Sequence, residues 1–250
     1  MSDTDYVIKA RNLVKIYKQG NVRAVDGLDL SIRKGEIYAF IGANGSGKTT
    51  AIKMLTGVLD PTSGSISVFG LSVPKNRKVI AHNIGIAPQE YSLYDDLTVM
   101  ENIKFFGRLY GMNKHEFKAK IDNLIQILRL EVKKDTLVSN LSGGMKRRVS
   151  IACALIHSPR VVFFDEATVG IDPILRKFFW EYFNELKKEG LSLILTSHVM
   201  DEAERADRIG LIREGKLIDE GTPNSLKEKH HVNTIEEVFL KLSDEVITDD

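Results

Sequence analysis

Short apolar runs recur along the chain and predict β-strands. They lie at residues 6–9, 25–32 and 36–41, and again in the stretches ISVFG and NIGIAPQ. Two later runs, VVFFDEA and LSLILTSH, are almost continuously hydrophobic before they end in polar residues. Strands of that composition are typical of a parallel sheet that is covered on both faces. The stretch IGLIREGKLIDEG predicts a hairpin or a pair of strands, so we expect an α/β fold.

Between about residues 95 and 158 the apolar positions follow the period of a helix instead. The stretch DDLTVMENIKFFGRLYG begins with capping-type residues, and KHEFKAKIDNLIQILRL continues the helical pattern. In the second stretch one face carries Phe117, Ile121, Leu124, Ile125 and Leu128. These stretches predict a helical lobe inserted into the α/β core. Helices are also predicted for KTTAIKMLTGV and for TIEEVFLKL, which has the spacing of a capping box.

Composition limits the classes of function. The chain has 250 residues, of which 43% are hydrophobic and 28% charged, and its formal net charge of +1 argues against broad capture of nucleic acid. The single cysteine, Cys153 in IACALI, excludes an internal disulfide framework and is expected to be a buried thiol. No window approaches the roughly 18 apolar residues of a membrane span, and the N-terminus is too polar for a secretory signal. A role at a membrane would therefore require a partner.

A phosphate-binding loop follows the strand at 36–41. Gly42, Gly47, Lys48 and Thr49 match the pattern G-x-x-x-x-G-K-[S/T], with a strand entering and a helix leaving, as that motif requires. Consecutive backbone amides of such a loop wrap a polyphosphate. Lys48 is expected to reach the β- and γ-phosphates, and the Thr49 hydroxyl to hold Mg²⁺. The alternative is a glycine-rich turn that only caps a helix.

Two acidic residues end the run VVFFDE. Asp165 is expected to bind Mg²⁺ through water, and Glu166 to orient and deprotonate an attacking water molecule. The alternative is an exposed acidic pair at the end of a strand. Together with the phosphate loop, this pair predicts a nucleotide hydrolase.

A second anion site is predicted at LSGGMKRR, residues 141–148. Ser142, Gly143 and Gly144 precede a basic run that begins a helix, and helix N-termini with exposed amides bind anions. Two interpretations are open for Lys146, Arg147 and Arg148, a nucleic-acid patch or a solvated helix face, and the solvated face is favoured.

The motifs GANGSGKTT, PQ, LSGGM, VVFFDEATVGID and TSH occur in this order. In order and spacing they resemble the nucleotide-binding domain of ATP-binding cassette (ABC) transporters, and the similarity covers nearly the whole chain. The resemblance implies a P-loop NTPase core with a mixed sheet, an antiparallel β subdomain and an inserted helical subdomain.

The resemblance also implies one ABC ATPase domain over residues 1–250. Its ATP-binding core with the β subdomain is expected at 1–90 and 159–225, and its helical signature subdomain at about 91–158. Residues 226–250 are expected to form a C-terminal helix and tail.

In that family two cassettes pair head to tail, with ATP between the phosphate loop of one and the signature of the other. The resemblance therefore implies that Ser142 and its two glycines serve nucleotide held by a second cassette, identical or different. It also implies an integral membrane permease as partner, a position on the cytoplasmic face of the membrane, and no nucleic-acid partner. The implied ATP-binding residues are Tyr17, Gly42, Asn44, Gly45, Ser46, Gly47, Lys48, Thr49, Thr50, Ser142, Gly143, Gly144 and Asp172.

Four of the implied positions have structural alternatives. Tyr17 matches an aromatic residue that stacks on adenine, although it could serve packing alone. Gln89 matches a glutamine that reaches Mg²⁺ or the attacking water, and the alternative is a polar strand end. His198 matches a histidine that contacts the γ-phosphate, although a lone histidine is usually structural. Asp172 matches an aspartate that communicates across the dimer, and its rival role is to cap the helix that starts at Pro173. With Glu166, the implied catalytic set is Glu166, His198 and Gln89, and the implied Mg²⁺ set is Thr49, Gln89 and Asp165.

Two residues depart from the usual family pattern. Met145 replaces a frequent glutamine and Ala167 a frequent proline, yet neither change removes a donor to phosphate or the candidate base. These two departures, taken together with the C-terminal region, resemble the drug- and ion-efflux subgroup of the family. That resemblance implies a subunit that powers export. The alternative is a soluble ABC ATPase acting on nucleic acid or ribosomes, although such relatives typically carry paired cassettes, a coiled-coil insertion or zinc-spaced cysteines.

Overall fold

A computed structural model describes residues 5–112, 114–166, 168 and 171–247. Its strands are β1 (Tyr6–Tyr17), β2 (Val22–Arg33), β3 (Ile37–Ile41), β4 (Ser63–Val68), β5 (Leu71–Ser72), β6 (Ile84–Ala87), β7 (Val161–Asp165), β8 (Ser192–Ser197), β9 (Arg208–Arg213) and β10 (Lys216–Gly221). Its helices are α1 (Lys48–Leu55), α2 (Val73–Ala81), α3 (Val99–Leu109), α4 (Lys114–Ile127), α5 (Gly143–Leu155), α6 (Pro173–Lys188), α7 (Met200–Ala203), α8 (Pro223–His230) and α9 (Ile235–Ile247).

Two sheets form the framework. The central sheet has the strand order β10-β9-β3-β8-β7-β6, in which β10 alone of the described strands runs antiparallel to its neighbour. The second sheet is antiparallel throughout, with the order β2-β1-β4-β5. A mixed central sheet and a separate antiparallel sheet are the fold class that the sequence predicts. The hairpin expected in IGLIREGKLIDEG is confirmed as β9 and β10.

Strand β3 shows why the central sheet is hydrophobic on both faces. Ile37, Ala39 and Ile41 pack into a core shared with the helices, whereas Tyr38 and Phe40 pack into a core shared with the antiparallel sheet and α1. Because successive side chains of a strand point to opposite faces, a strand buried on both sides must be apolar throughout. The carboxyl ends of β3, β7 and β8 therefore emerge between two packed layers, and they carry the residues considered below.

The helical segment packs as the periodicity predicts. Thr98 and Glu101 form a capping box at the start of α3. The apolar face of α4 is confirmed, with Phe117 packed against the core. Buried residues on that face are Ile121, Leu124, Ile125 and Leu128.

Several elements differ from the prediction. Strand β1 is three times the predicted length, and α1 ends at Leu55 before its predicted limit. Helices α2 and α7 occupy segments for which the pattern predicts no element, and α8 begins at Pro223, before the C-terminal region expected at 226–250. The capping box of α9 is confirmed, since the Glu237 amide donates to Thr234 Oγ1 at 3.2 Å and the Thr234 amide to Glu237 Oε2 at 3.1 Å. Cys153 is buried, as expected.

Among the described residues, no helix combines the length and the apolar character that a membrane crossing would need. Ala167, one of the two departures from the family pattern, lies outside the described residues.

Candidate nucleotide site

The phosphate loop leaves β3 at Gly42 and enters α1 at Lys48. A Cβ on Gly42 would lie 2.1 Å from the carbonyl oxygen of Ile212, and a Cβ on Gly47 would lie 2.4 Å from the carbonyl oxygen of Ala24. Gly47 also has a φ of +104°, which L side chains rarely adopt. The loop is thus wedged between the end of β9 and the strand β2, where only glycine fits at these two positions.

The Lys48 side chain folds back into the loop. Its ammonium donates to the carbonyl oxygens of Gly42 at 2.8 Å and Ala43 at 2.9 Å, and the residue is buried. Burial lowers the pKa of Lys48, and the carboxylates of Glu166 and Asp165 partly offset that shift. A cation held in this position faces the centre of the loop, where phosphate oxygens would lie.

A cavity of about 300 Å³ opens above the loop. The phosphate loop supplies most of its wall, and Ala24, Gln89 and Glu166, from distant parts of the chain, complete it. The hydroxyl of Ser46 is buried without a hydrogen-bond partner, which leaves a polar group available to a phosphate. The lining residues are Ala24, Asn44, Gly45, Gly47, Lys48, Thr49, Thr50, Gln89 and Glu166.

Asp165 ends strand β7 between two threonine hydroxyls. Thr49 Oγ1 donates to Asp165 Oδ2 at 3.1 Å, and the Thr196 hydroxyl, from β8, donates to the other carboxylate oxygen. A threonine hydroxyl beside a carboxylate is a set of hard oxygen donors, which is the kind Mg²⁺ prefers. The residues present therefore fit a magnesium site, at which Asp165 and Thr49 would hold the ion.

Glu166 lies in a strained backbone conformation with both carboxylate oxygens engaged. Its φ of +52° is rare for a residue with a side chain. Its amide donates to Thr196 Oγ1 at 3.0 Å, which holds the turn after β7 against β8. Gln89 Nε2 donates to Glu166 Oε2 at 3.0 Å, and His198 Nδ1 lies 3.3 Å from Glu166 Oε1. Two side chains, Gln89 after β6 and His198 after β8, thus meet at the carboxylate that follows β7.

Tyr17 lies at the edge of the loop rather than in the core. It is 37% exposed, and its hydroxyl is 3.4 Å from Thr50 Oγ1. The Lys15 ammonium lies 5.7 Å from the centre of the Tyr17 ring. A partly exposed ring beside the first turn of α1 is available to stack on a planar group. The position of Tyr17 therefore favours stacking over a role in packing alone.

The signature residues lie away from this cavity. Ser142 caps α5, because the Met145 amide donates to Ser142 Oγ at 3.4 Å. Ser142 and Gly143 are exposed, and neither they nor Gly144 line the cavity of their own chain. A Cβ on Gly144 would lie 2.9 Å from Leu175 Cδ2, so the start of α5 packs closely on the start of α6.

Asp172 caps a helix, which is the structural alternative to the role in the dimer that the family resemblance implies. Its Oδ1 accepts from the amides of Ile174 and Leu175, both at 3.0 Å, at the start of α6. The residue is exposed and does not line the cavity.

A family profile described as ABC transporter matches residues 25–169. The chain belongs to the ABC transporter family. It is 37% identical over 241 residues to the probable multidrug ABC transporter ATP-binding protein YbhF of Escherichia coli (strain K12), which covers 94% of this chain and 41% of that protein. It is 42% identical over 222 residues to the Nod factor export ATP-binding protein I of Burkholderia orbicola (strain AU 1054), covering 88% of this chain and 72% of the relative.

Solved structures of the same family share the fold. A structure described as the ATP binding subunit of an ABC transporter matches with a TM-score of 0.87 at 26% identity, covering 95% of this chain and 99% of that one. CbiO1 from Clostridium perfringens matches with a TM-score of 0.80 at 29% identity, covering 90% and 92%. The P-loop NTPase fold is thereby confirmed. The chain nevertheless spans well under half the length of the E. coli relative, 41%.

One sequence-based interpretation of this ABC cassette is wrong. The basic run after the signature was expected to be a solvated helix face, yet Arg147 is only 4% exposed. Its guanidinium donates to the carbonyl oxygens of Pro88 and Gln89, and Lys146 pairs with Asp95 at 3.1 Å. The helical spacing does indicate this burial, because Arg147 lies one turn before the buried Ile151 and therefore on the same face of the helix. Three adjacent charges therefore point in different directions and form no continuous basic patch.

Proposed function

We propose that this chain is the ATP-binding and ATP-hydrolysing subunit of an ABC transporter, and that it dimerises head to tail around ATP to power export of a substrate through a separate membrane subunit. The main observation in support is that two predicted phosphate-binding features lie apart in the structure. Lys48, Gln89 and Glu166 meet around one cavity, whereas Ser142 caps an exposed helix start outside it. A helix N-terminus stabilises an anion only when the anion reaches it, so the second feature requires nucleotide on another cassette.

Binding uses the loop and the residues around it. Lys48 reaches the β- and γ-phosphates after releasing the loop carbonyls, and the loop amides surround the phosphate chain. Asn44, Gly45, Ser46 and Thr50 complete the loop contacts, while Tyr17 stacks on the adenine. Thr49, Asp165 and Gln89 would hold Mg²⁺, which when bound would neutralise charge on the phosphates.

Hydrolysis requires a base and a means of orienting it. Glu166 accepts the proton of the attacking water, because its carboxylate lies at the cavity wall and is fixed on both sides. Gln89 orients the same water from one side. His198 supports the carboxylate from the other side and faces the γ-phosphate.

Closure of the dimer completes each site. Ser142, Gly143 and Gly144 of one cassette contact the γ-phosphate bound by the other, and loss of that phosphate after hydrolysis weakens the contact. Asp172, near the same surface, passes information between the two sites. The partner is a second cassette, identical or different.

An apolar groove of about 390 Å³ supports the membrane subunit as the other partner. It runs between α1, β6 and the helices α3 and α5, and its polar wall includes Thr49 and Asp165. A short helix of a permease would fit there on the cytoplasmic face of the membrane and would touch the site through those two residues. Of the hydrophobic residues Tyr91 and Leu93 in the segment between β6 and α3, Leu93 lines the groove and Tyr91 does not. The apolar part of the wall is made by Ile52, Val58, Ile86, Leu93, Phe106 and Tyr110.

The substitution Glu166→Gln tests the proposal. It removes the base but keeps the size of the side chain, so turnover should fall by about 10²-fold or more while ATP binding persists. Size-exclusion chromatography with light scattering should then show an ATP-dependent dimer. Lys48→Ala, tested in parallel, should show neither binding nor dimer. Full turnover by Glu166→Gln, or a trapped species that stays monomeric, would overturn the proposal.

A further inference from the structure

Helix α5 carries a buried arginine that holds the backbone beside the cavity. Arg147 lies on the second turn of α5, and its Nη1 donates to the Pro88 carbonyl at 2.7 Å while its Nη2 donates to the Gln89 carbonyl at 3.1 Å. A guanidinium presents its donors in a rigid fork, so two bonds to adjacent carbonyls fix the position and the direction of that backbone. Burial lowers the pKa of Arg147, and Tyr91, Asp165 and Glu166 oppose that shift.

Tyr91 adds a third contact between the same two segments. The guanidinium carbon of Arg147 lies 4.9 Å from the centre of the Tyr91 ring, within the range of a cation–π contact. A Cβ on Gly143 would lie 3.4 Å from the Tyr91 hydroxyl, so the ring spans the first turn of α5 from Gly143 to Arg147. Residues 88–91 are therefore braced against the helix start that Ser142 caps.

The other side of this braced segment faces the cavity. The Gln89 backbone is held by Arg147, and the Gln89 side chain donates to Glu166 Oε2 at 3.0 Å. A continuous set of contacts thus runs from the first turns of α5 through Arg147 and Gln89 to Glu166. A small tilt of α5 would move the Gln89 backbone with it, because the buried Arg147 guanidinium is hydrogen-bonded to two adjacent carbonyls of that segment.

We infer that Arg147 is a positioning residue that couples the signature helix of this chain to its own Gln89 and Glu166. The inference rests on the proposed function, in which the signature serves nucleotide bound by the second cassette. Arg147 then connects the chain's signature, which contacts the partner's nucleotide, to the chain's own nucleotide site. Contact of the partner's nucleotide with Ser142 shifts α5, and this shift sets Gln89 against Glu166. Linkage works in both directions, so nucleotide at the chain's own site also alters the start of α5.

A double-mutant cycle distinguishes this coupling from a merely structural role. Arg147→Met keeps the apolar stem and removes the fork, and it should lower kcat by about tenfold, within the range of coupling measured between contacting residues. In a Gln89→Ala background the same substitution should lower kcat by less than about twofold, because the residue through which Arg147 acts has gone. An equal loss in both backgrounds would overturn the inference. Arg147→Lys keeps the charge without the fork and should resemble Arg147→Met more than the unmodified chain.

Arg148→Met is the matched control. The same residue type lies one position along α5, but its Nη1 donates to the Leu128 carbonyl at 3.5 Å and its guanidinium faces the Phe178 ring at 5.9 Å. This substitution should leave kcat within about twofold while lowering the melting temperature as much as Arg147→Met does. Fluorescent-ATP affinity should stay within about twofold in both variants, since neither arginine lines the cavity. Loss of nucleotide binding in Arg147→Met alone would mean that the residue only maintains the cavity.

Hydrogen exchange tests the coupling without turnover or a dimer. In a Ser142→Arg chain, in which the added side chain blocks the partner's phosphate, ATP binding should change amide exchange at residues 141–146. Adding Arg147→Met should abolish that change while binding persists, and an unaltered change would overturn the inference. Absence of ATP binding by the Ser142→Arg chain and by the unmodified chain would instead refute the proposed function.

Discussion

The side-chain amide of Gln89 donates to Glu166 Oε2 at 3.0 Å. On the opposite side His198 Nδ1 lies 3.3 Å from Glu166 Oε1, so the carboxylate is held between an amide and an imidazole. Fixing a base in this way reduces the freedom that it must lose when it takes a proton.

Replacing His198 should therefore impair chemistry rather than binding. His198→Ala removes the support of Glu166 Oε1, and turnover should fall by about 10²-fold, the scale of a lost acid–base contribution. ATP affinity should fall much less than turnover does, because Lys48 and the phosphate loop line the cavity and hold most of the nucleotide. Phosphate-release assays and fluorescent-ATP titration measure the two effects. The exposed His82 provides a control: His82→Ala should change neither, and equal losses in both variants would contradict the interpretation.

Mixed dimers test whether each site is shared between two cassettes. Lys48→Ala removes the loop cation and Ser142→Arg blocks the signature, so each variant alone should be inactive. In a mixture, one site of each heterodimer combines an intact loop with an intact signature, and turnover should approach about a quarter of the unmodified rate. Inactive heterodimers, isolated by two affinity tags, would argue against shared sites unless both sites must act together. The tagged Lys48→Ala chain, purified and assayed alone, gives the background rate.

Substitutions at Asp172 separate its two roles. Asp172→Ala removes the side chain that accepts from the Ile174 and Leu175 amides, and stability should fall by about 1 kcal/mol. Asp172→Ser restores a capping oxygen and should recover that stability. If Asp172 also communicates across the dimer, Asp172→Ser recovers the melting temperature but not the rate of ATP turnover. Recovery of both would leave helix capping as its whole role.

Gly42 is expected to tolerate no side chain. In Gly42→Ala the new Cβ would lie 2.1 Å from the Ile212 carbonyl oxygen, so the backbone must move. The free energy of unfolding should fall by about 1–3 kcal/mol, and nucleotide binding should be lost. Gly35→Ala is the control, because Gly35 has a φ of +67° but a Cβ added there would meet no atom within 4 Å. That variant should lose about 1–2 kcal/mol through backbone strain alone and bind ATP normally. Thermal unfolding and titration distinguish the two; normal ATP affinity in Gly42→Ala would contradict the prediction.

Burial of the Cys153 thiol should make the folded chain less stable at alkaline pH. Burial raises the pKa of its thiol, so the folded chain keeps the proton that the unfolded chain releases above about pH 8.5. The contribution of the protonated thiol to the free energy of unfolding, measured as the unmodified chain minus Cys153→Ala, is therefore fully present below that pH. It should decline by about 2 kcal/mol towards pH 10. Denaturant titrations at several pH values measure the difference.

Alkylation provides an independent check on the same thiol. The chain has one cysteine, so a mass shift after iodoacetamide reports Cys153 alone. The native chain should react slowly and the denatured chain rapidly. Fast modification of the native chain, or a stability difference that does not change with pH, would show that the thiol is accessible.

Much of the fold follows from local patterns, because β3, β7 and β8 are apolar throughout and the helices of the inserted segment are strongly periodic. Strand β1 shows the limit of that reasoning. Its apolar run is interrupted at Arg11 and Asn12, and Asn12 adopts a φ of +45° where the pairing with β2 shifts register. A bulge of this kind lets one strand continue through polar residues, and only the pairing with β2 and β4 reveals it.

The sequence alone determined the phosphate loop, the acidic pair after β7 and the signature before α5, because each depends on a few neighbouring residues and a backbone turn. Tertiary structure alone decided that Gln89 and His198 meet at Glu166, that Ser142 lies outside its own chain's cavity, and that Arg147 is buried. Arg147 and Gln89 are 58 residues apart, and their contact exists because α5 packs beside the carboxyl end of β6. Spacing within one helix says which face a residue occupies, but only the packing of the other elements decides what that face meets.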